Sequence, residues 1–221
     1  MSAIAMLTIV FVIKNYATAK DNRYSSPTQT IETFIDALAR YDVDDIINCT
    51  TGISAKNRRL NRVATEYLVL SNKVLGIFIN RQLKQKNKPP LKSAFDLVHS
   101  EIFSKPKRVE YSEDGKTATF YIDKKPIYEL RKIGENWKID ASDKLSFYDN
   151  DEMREKEIQS LQEQISLFKQ ALKMLSKKNI SNKEVKQVEK FLDDGLRKIA
   201  KKKADDLFNF PAEHKSKKSK R

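Results

Sequence analysis

The sequence predicts an α+β protein, with helices packed on one face of an antiparallel sheet and a C-terminal α-helical hairpin after it. Three observations lead there. Apolar residues recur at helical spacing between residues 31 and 102. Strict alternation then takes over between residues 108 and 140, around two glycine turns. Beyond residue 143 the composition shifts to Glu, Gln, Lys and Leu, with apolar residues three and four apart.

The first helix opens at "SPTQ". Ser26 is a good N-cap, Pro27 suits a first turn, and Gln29 closes a capping box with Ser26. Ile31, Phe34, Ile35 and Leu38 form its stripe. Asp42 recaps the chain at once, and Asp44 and Asp45 sit at the positive end of a short second helix that runs from Val43 to about Cys49. A third helix carries Leu60, Val63, Ala64, Tyr67, Leu68, Val74, Leu75 and Phe78 and ends at "KQKNKPPLK", where two prolines cannot continue it. Phe95, Leu97, Val98 and Ile102 suggest one or two further helical turns.

"RVEYSEDGKTATFYID" reads as a hairpin around Asp114-Gly115, and "PIYELRKIGENWKID" as another around Gly134-Glu135. One face of the four strands is apolar: Val109 and Tyr111, then Ala118, Phe120 and Ile122. Tyr128, Leu130, Trp137 and Ile139 complete that face, while the opposite face is charged or hydroxylated. Such a sheet is covered on one side only.

After Asp143, Ile158, Leu161, Ile165, Phe168, Leu172 and Leu175 form a heptad seam. "KKNIS" breaks it, and Ser181 with Glu184 caps a second helix bearing Val185, Val188, Leu192, Leu196 and Ile199. Each seam is too short for a stand-alone coiled coil, so the two are expected to face each other in a hairpin. A protein partner or a second copy would dock on its remaining apolar edge, Leu167, Met174 and Phe191.

The expected organisation is a leader or anchor over residues 1–19, an α+β domain over 26–143, the hairpin over 150–204 and a basic, disordered tail over 205–221. The first thirteen residues carry no charged side chain, and Ala17-Thr18-Ala19 supplies small residues for signal cleavage. Export to the periplasm or beyond is expected, with membrane anchoring by the same segment as the competing outcome. The single cysteine, Cys49, excludes an internal disulfide.

The net charge of +13 draws the chain to anions. In the tail, Lys215, Lys217, Lys218, Lys220 and Arg221 form a candidate anion-binding cluster for anionic lipid or an envelope polymer. Lysines without interleaved aromatics argue against nucleic acid. Two histidines and one cysteine, far apart, predict no metal site and no cofactor; no glycine-rich phosphate loop is present. A Ser or Cys nucleophile has no histidine placed to activate it.

The opening "SPTQTIETFIDALARYDVDDI", the meander "GKTATFYIDKKPIYELRKIGENWKID" and the helices between them resemble the nuclear-transport-factor-two-like superfamily, also called cystatin-like or SnoaL-like, over about residues 26–141. Tyr41-Asp42 matches the family's step between its first two helices, and Trp137-Lys138-Ile139-Asp140 its closing strand. The resemblance implies a cone fold, in which helices close one side of a curved sheet around a cavity. Tyr111, Phe120, Tyr128 and Trp137 would line it. Enzymes of the family place Asp, His and Tyr inside that cavity, yet no acidic residue falls on the inward strand positions here. The expectation is therefore a non-enzymatic binding or assembly module of the cell envelope, with no catalytic residues assigned. An isomerase- or dehydratase-like enzyme and a polyanion binder are the alternatives.

Overall fold

In the computed structural model, residues 22–91, 93, 107–142, 150–177 and 180–208 are described. Among them five helices and five strands follow one another: α1 (Pro27–Arg40), α2 (Val43–Asn48), β1 (Thr50–Thr51), α3 (Arg58–Gln85), β2 (Lys107–Tyr111), β3 (Thr117–Ile122), β4 (Lys125–Ile133), β5 (Asn136–Asp140), α4 (Asp151–Leu175) and α5 (Asn182–Phe208). The molecule is α+β with a mixed sheet.

The helix boundaries follow the capping chemistry. Ser26 Oγ accepts the Gln29 amide at 3.2 Å, and its hydroxyl donates to Gln29 Oε1 at 3.2 Å. Tyr41 ends α1 in the left-handed region (φ 60°), which turns the Asp42 amide back to the Ala37 carbonyl at 2.9 Å. Asp42 Oδ1 then accepts the Asp45 amide at 3.0 Å and starts α2. The abrupt step is thus a C-cap and an N-cap on adjacent residues. At Ser181, Glu184 Oε2 accepts both the backbone amide and the hydroxyl at 2.8 Å. Those two hydrogen bonds, with Lys177 nearby, hold the Glu184 carboxyl below its ordinary pKa.

The strands lie in the order β1-β5-β4-β3-β2. Val109 faces Phe120, Phe120 faces Tyr128, and Ala118 faces Leu130, so the alternation read from the sequence places these side chains on one face. β1 differs from expectation: Thr50 and Thr51 pair in parallel with Ile139 and Asp140. Two residues are too few to show a period. Gly52 makes the pairing possible, because its φ is +82° and a Cβ there would stand 2.6 Å from Asp140 Oδ1.

The helices do not all cover the sheet. Ile31, Phe34 and Ile35 of α1, with Tyr24 and Cys49, pack on the apolar sheet face. Thr30 pins α1 there, its hydroxyl donating to the Trp137 carbonyl at 3.0 Å. α3 turns elsewhere. Its Val69 packs with Ala37 and Ile46, while Leu60 and Val63 pack on Ile158, Leu161 and Ile165 of α4. Further along, Val74 joins Phe168, Ala171 and Leu175 of α4 and Val185, Val188 and Leu192 of α5.

The two C-terminal helices therefore do not seal each other alone. Only the second half of the α4 seam meets α5; the first half meets α3. The cause is the amphipathy of α3, whose apolar residues occupy two faces rather than the single stripe read from sequence. The expected free edge is also occupied: Leu167, Met174 and Phe191 are partly buried against the same cluster. Leu167 lies where a Cβ on Gly195 would come within 2.7 Å, so the α4–α5 approach depends on that glycine. The expected turns at residues 95–102 lie outside the described residues, as do the leader and the last thirteen residues of the tail.

Candidate binding surface on the sheet

The four aromatic residues proposed to line a pocket share one sheet face but not one environment. Phe120, on the interior strand β3, is 1% exposed and lies between Val109 and Tyr128 in register. Trp137 is buried on β5. Tyr128 is partly buried, and Phe34 of α1 meets its ring edge-on at 5.8 Å between centroids. Burial pushes the Tyr128 phenol above its ordinary pKa. Tyr111, on the outermost strand, is 57% exposed. Its ring nonetheless reaches Trp137, edge-on at 5.6 Å. Ala118, facing Tyr111 in the ladder, is small enough to leave that path open.

The set therefore divides into a packed interior and one outward ring supported from below by an indole. Among the described residues no Asp, Glu or His side chain is buried, so none stands inside this apolar layer as a general acid or base. No group of three or more His, Cys, Asp and Glu among them is arranged to hold a metal ion. The anion-binding cluster proposed at Lys215, Lys217, Lys218, Lys220 and Arg221 falls outside the described residues, as do His99 and His214. No described helix is long and apolar enough to cross a membrane.

Two further clusters flank the sheet and were not evident in the sequence. At the β1 edge, the Lys138 ammonium donates to the Asn48 carbonyl at 2.5 Å and sits 3.5 Å from the centre of the Tyr24 ring. Beneath it, burial pushes the Cys49 thiol up to about 11, against the pull of Lys138 and the Tyr24 hydroxyl. A thiol so placed stays protonated and is a packing residue rather than a nucleophile. On the polar face, Asp140 accepts from Arg131 at 2.5 Å and from the Ser142 amide and hydroxyl at 3.0 and 2.6 Å. Burial works to raise this carboxyl, but the bonds from Ser142 and Arg131 outweigh it and hold it below the ordinary value. Its partners come from β4 and the turn after β5; the only sequence sign was an acidic residue at the end of the closing strand.

No family model matches the chain, and no curated protein or solved structure is significantly similar to it.

Proposed function

We propose that this chain is an exported, non-enzymatic binding or assembly module of the cell envelope, built as a cone-type α+β domain with a helical arm formed by α4 and α5. The observation that carries the reading is the division of the aromatic face. Phe120, Trp137 and Ile139 fill the layer under α1 with side chains that take no part in proton transfer, while Tyr111 presents its ring outward with Trp137 behind it. An exposed aromatic held by a buried one is pre-organised for a partner, since little side-chain freedom remains to be lost on contact. The uncharged run over residues 1–13 and the Ala17-Thr18-Ala19 step support export.

One experiment tests both halves. A photo-crosslinking amino acid replaces Tyr111 in the full chain in cells, and fractions are probed after irradiation. The reading expects a discrete protein adduct in the envelope fraction, on chains whose N-terminus begins near Lys20. Cytosolic chains with an intact N-terminus and no adduct would overturn it.

A further inference from the structure

Among the stretches that contain no acidic residue are the one between Glu66 and Asp96 and the one between Glu163 and Glu184. They are about a hundred residues apart in sequence, and the fold brings them to the same place. α3 runs parallel to α4, because Arg59 pairs with Glu155 at 2.7 Å and, further along both helices, Glu66 pairs with Lys169 at 2.8 Å. α5 runs back along α4, because Lys202 pairs with Glu163 at 2.6 Å and Lys203 with Glu157 at 2.5 Å. The C-terminal turns of α3 and α4 therefore meet the N-terminal turn of α5 at one end of the three-helix bundle, where Val74, Leu175 and Val185 share a core.

That end is strongly basic. α3 contributes Arg81 and Lys84, and the chain just after it Lys86 and Lys88. α4 brings Lys173 and the chain just after it Lys177, both exposed. α5 brings Lys183, Lys186 and Lys190, which line an open concavity of about 490 Å³ with Asn182 and Gln187. Nine cations thus stand with two carboxylates among them, Glu184 and Glu189, and Asp193 and Asp194 one turn further along α5; Glu184 is already engaged by Ser181 and Asp193 by Arg197. Among the described residues none of the nine has a carboxylate within salt-bridge distance. At the other end of the bundle Arg59, Lys156, Lys202 and Lys203 each pair with a glutamate. Like charges crowded without counter-charge cost stability, and a bound polyanion removes that cost.

We propose that this end of the bundle is a docking face for an anionic phospholipid surface. Eight of the nine cations are lysines, which bind phosphate as point charges rather than through the paired, planar bonds of base recognition. The nearby aromatics, Phe78 and Phe191, pack against the bundle core rather than standing between the charges for stacking on bases. Clustered lysines of this kind are drawn to the negative surface potential of an anionic leaflet. The face is distinct from the C-terminal lysines. It deepens the envelope reading and rests on that reading only for which membrane is met.

The test uses the full chain with vesicles of phosphatidylcholine alone or with 30% phosphatidylglycerol. Binding to the mixed vesicles should exceed binding to the neutral ones at least tenfold and fall steeply between about 50 and 300 mM salt. Association equal on both vesicle types would belong to the apolar N-terminus and would overturn the proposal. The variant Lys183→Glu/Lys186→Glu/Lys190→Glu changes only exposed side chains. It should retain the native circular dichroism spectrum and lose at least tenfold in affinity; Lys84→Gln/Lys86→Gln/Lys88→Gln should lose severalfold. Neutralising Lys215, Lys217, Lys218 and Lys220 should cost less than either. Loss only with the tail variant, or tighter binding to duplex DNA than to the mixed vesicles, would refute the lipid face. The vesicle assay is independent of compartment, so its failure and that of the envelope reading are distinguishable.

Discussion

Asp140 shows how one side chain joins elements that alternation alone cannot connect. It ends β5, faces the polar side of the sheet, and receives Arg131, Ser142 and the close approach of Gly52. Because its folded pKa lies below the ordinary 3.8, its contribution is complete above that value and is lost as pH falls through the folded pKa. Asp140→Asn should therefore destabilise by about 1–2 kcal/mol at pH 7 and by much less at pH 3. Urea unfolding of both proteins at the two pH values checks this; an equal gap at both would show that shape rather than charge matters here. The polar face was legible in the sequence, since its residues alternate with the core. The Gly52 contact was not, because it joins residues almost ninety positions apart.

At the scale of elements, one close approach between α4 and α5 is set by a residue without a side chain. Gly195 lies within α5 and weakens it intrinsically, by about 1 kcal/mol relative to alanine. What it allows is the seating of Leu167, whose methyls would stand 2.7 and 2.9 Å from an added Cβ. Gly195→Val should cost about 1–3 kcal/mol by overpacking, and adding Leu167→Ala should recover part of the loss. Strictly additive losses in denaturant unfolding would mean that the two residues do not meet. Helix existence and caps were readable because capping is local: Ser26, Asp42 and Ser181 act within three residues. Which helix each seam meets was not readable, since an apolar stripe specifies burial and not the partner.

For the whole molecule, α3 is the connecting member. One of its faces packs with α1 and α2, another with α4 and α5, so it ties the helices next to the sheet to the bundle. Unfolding of the two parts should accordingly be coupled. Trp137 is the single tryptophan and reports the sheet layer, while far-ultraviolet circular dichroism is dominated by the long helices. The two signals should trace one coincident transition in denaturant. A tryptophan midpoint separated from the helical one would show that α3 does not couple them. Charge behaves at the same scale. The excess of cations was countable in the sequence, but the basic end arises only where α3, α4 and α5 come together.

The sequence by itself determined the class and the local pieces: helices with named caps, a four-strand meander with one apolar face, and a basic composition. These depend on periods of 3.6 and 2 and on contacts a few residues apart, which a linear chain displays directly. Tertiary structure alone decided the parallel pairing of β1 with β5, the exposure of Tyr111 beside buried Phe120 and Trp137, and the sharing of the α4 seam between α3 and α5. The first is a backbone pairing that Gly52 admits, and the other two are choices among apolar surfaces with similar transfer free energy. Hydrophobic burial is non-directional, so that choice is made by shape and close approach, as at Gly52 and Gly195, once the whole chain is in place.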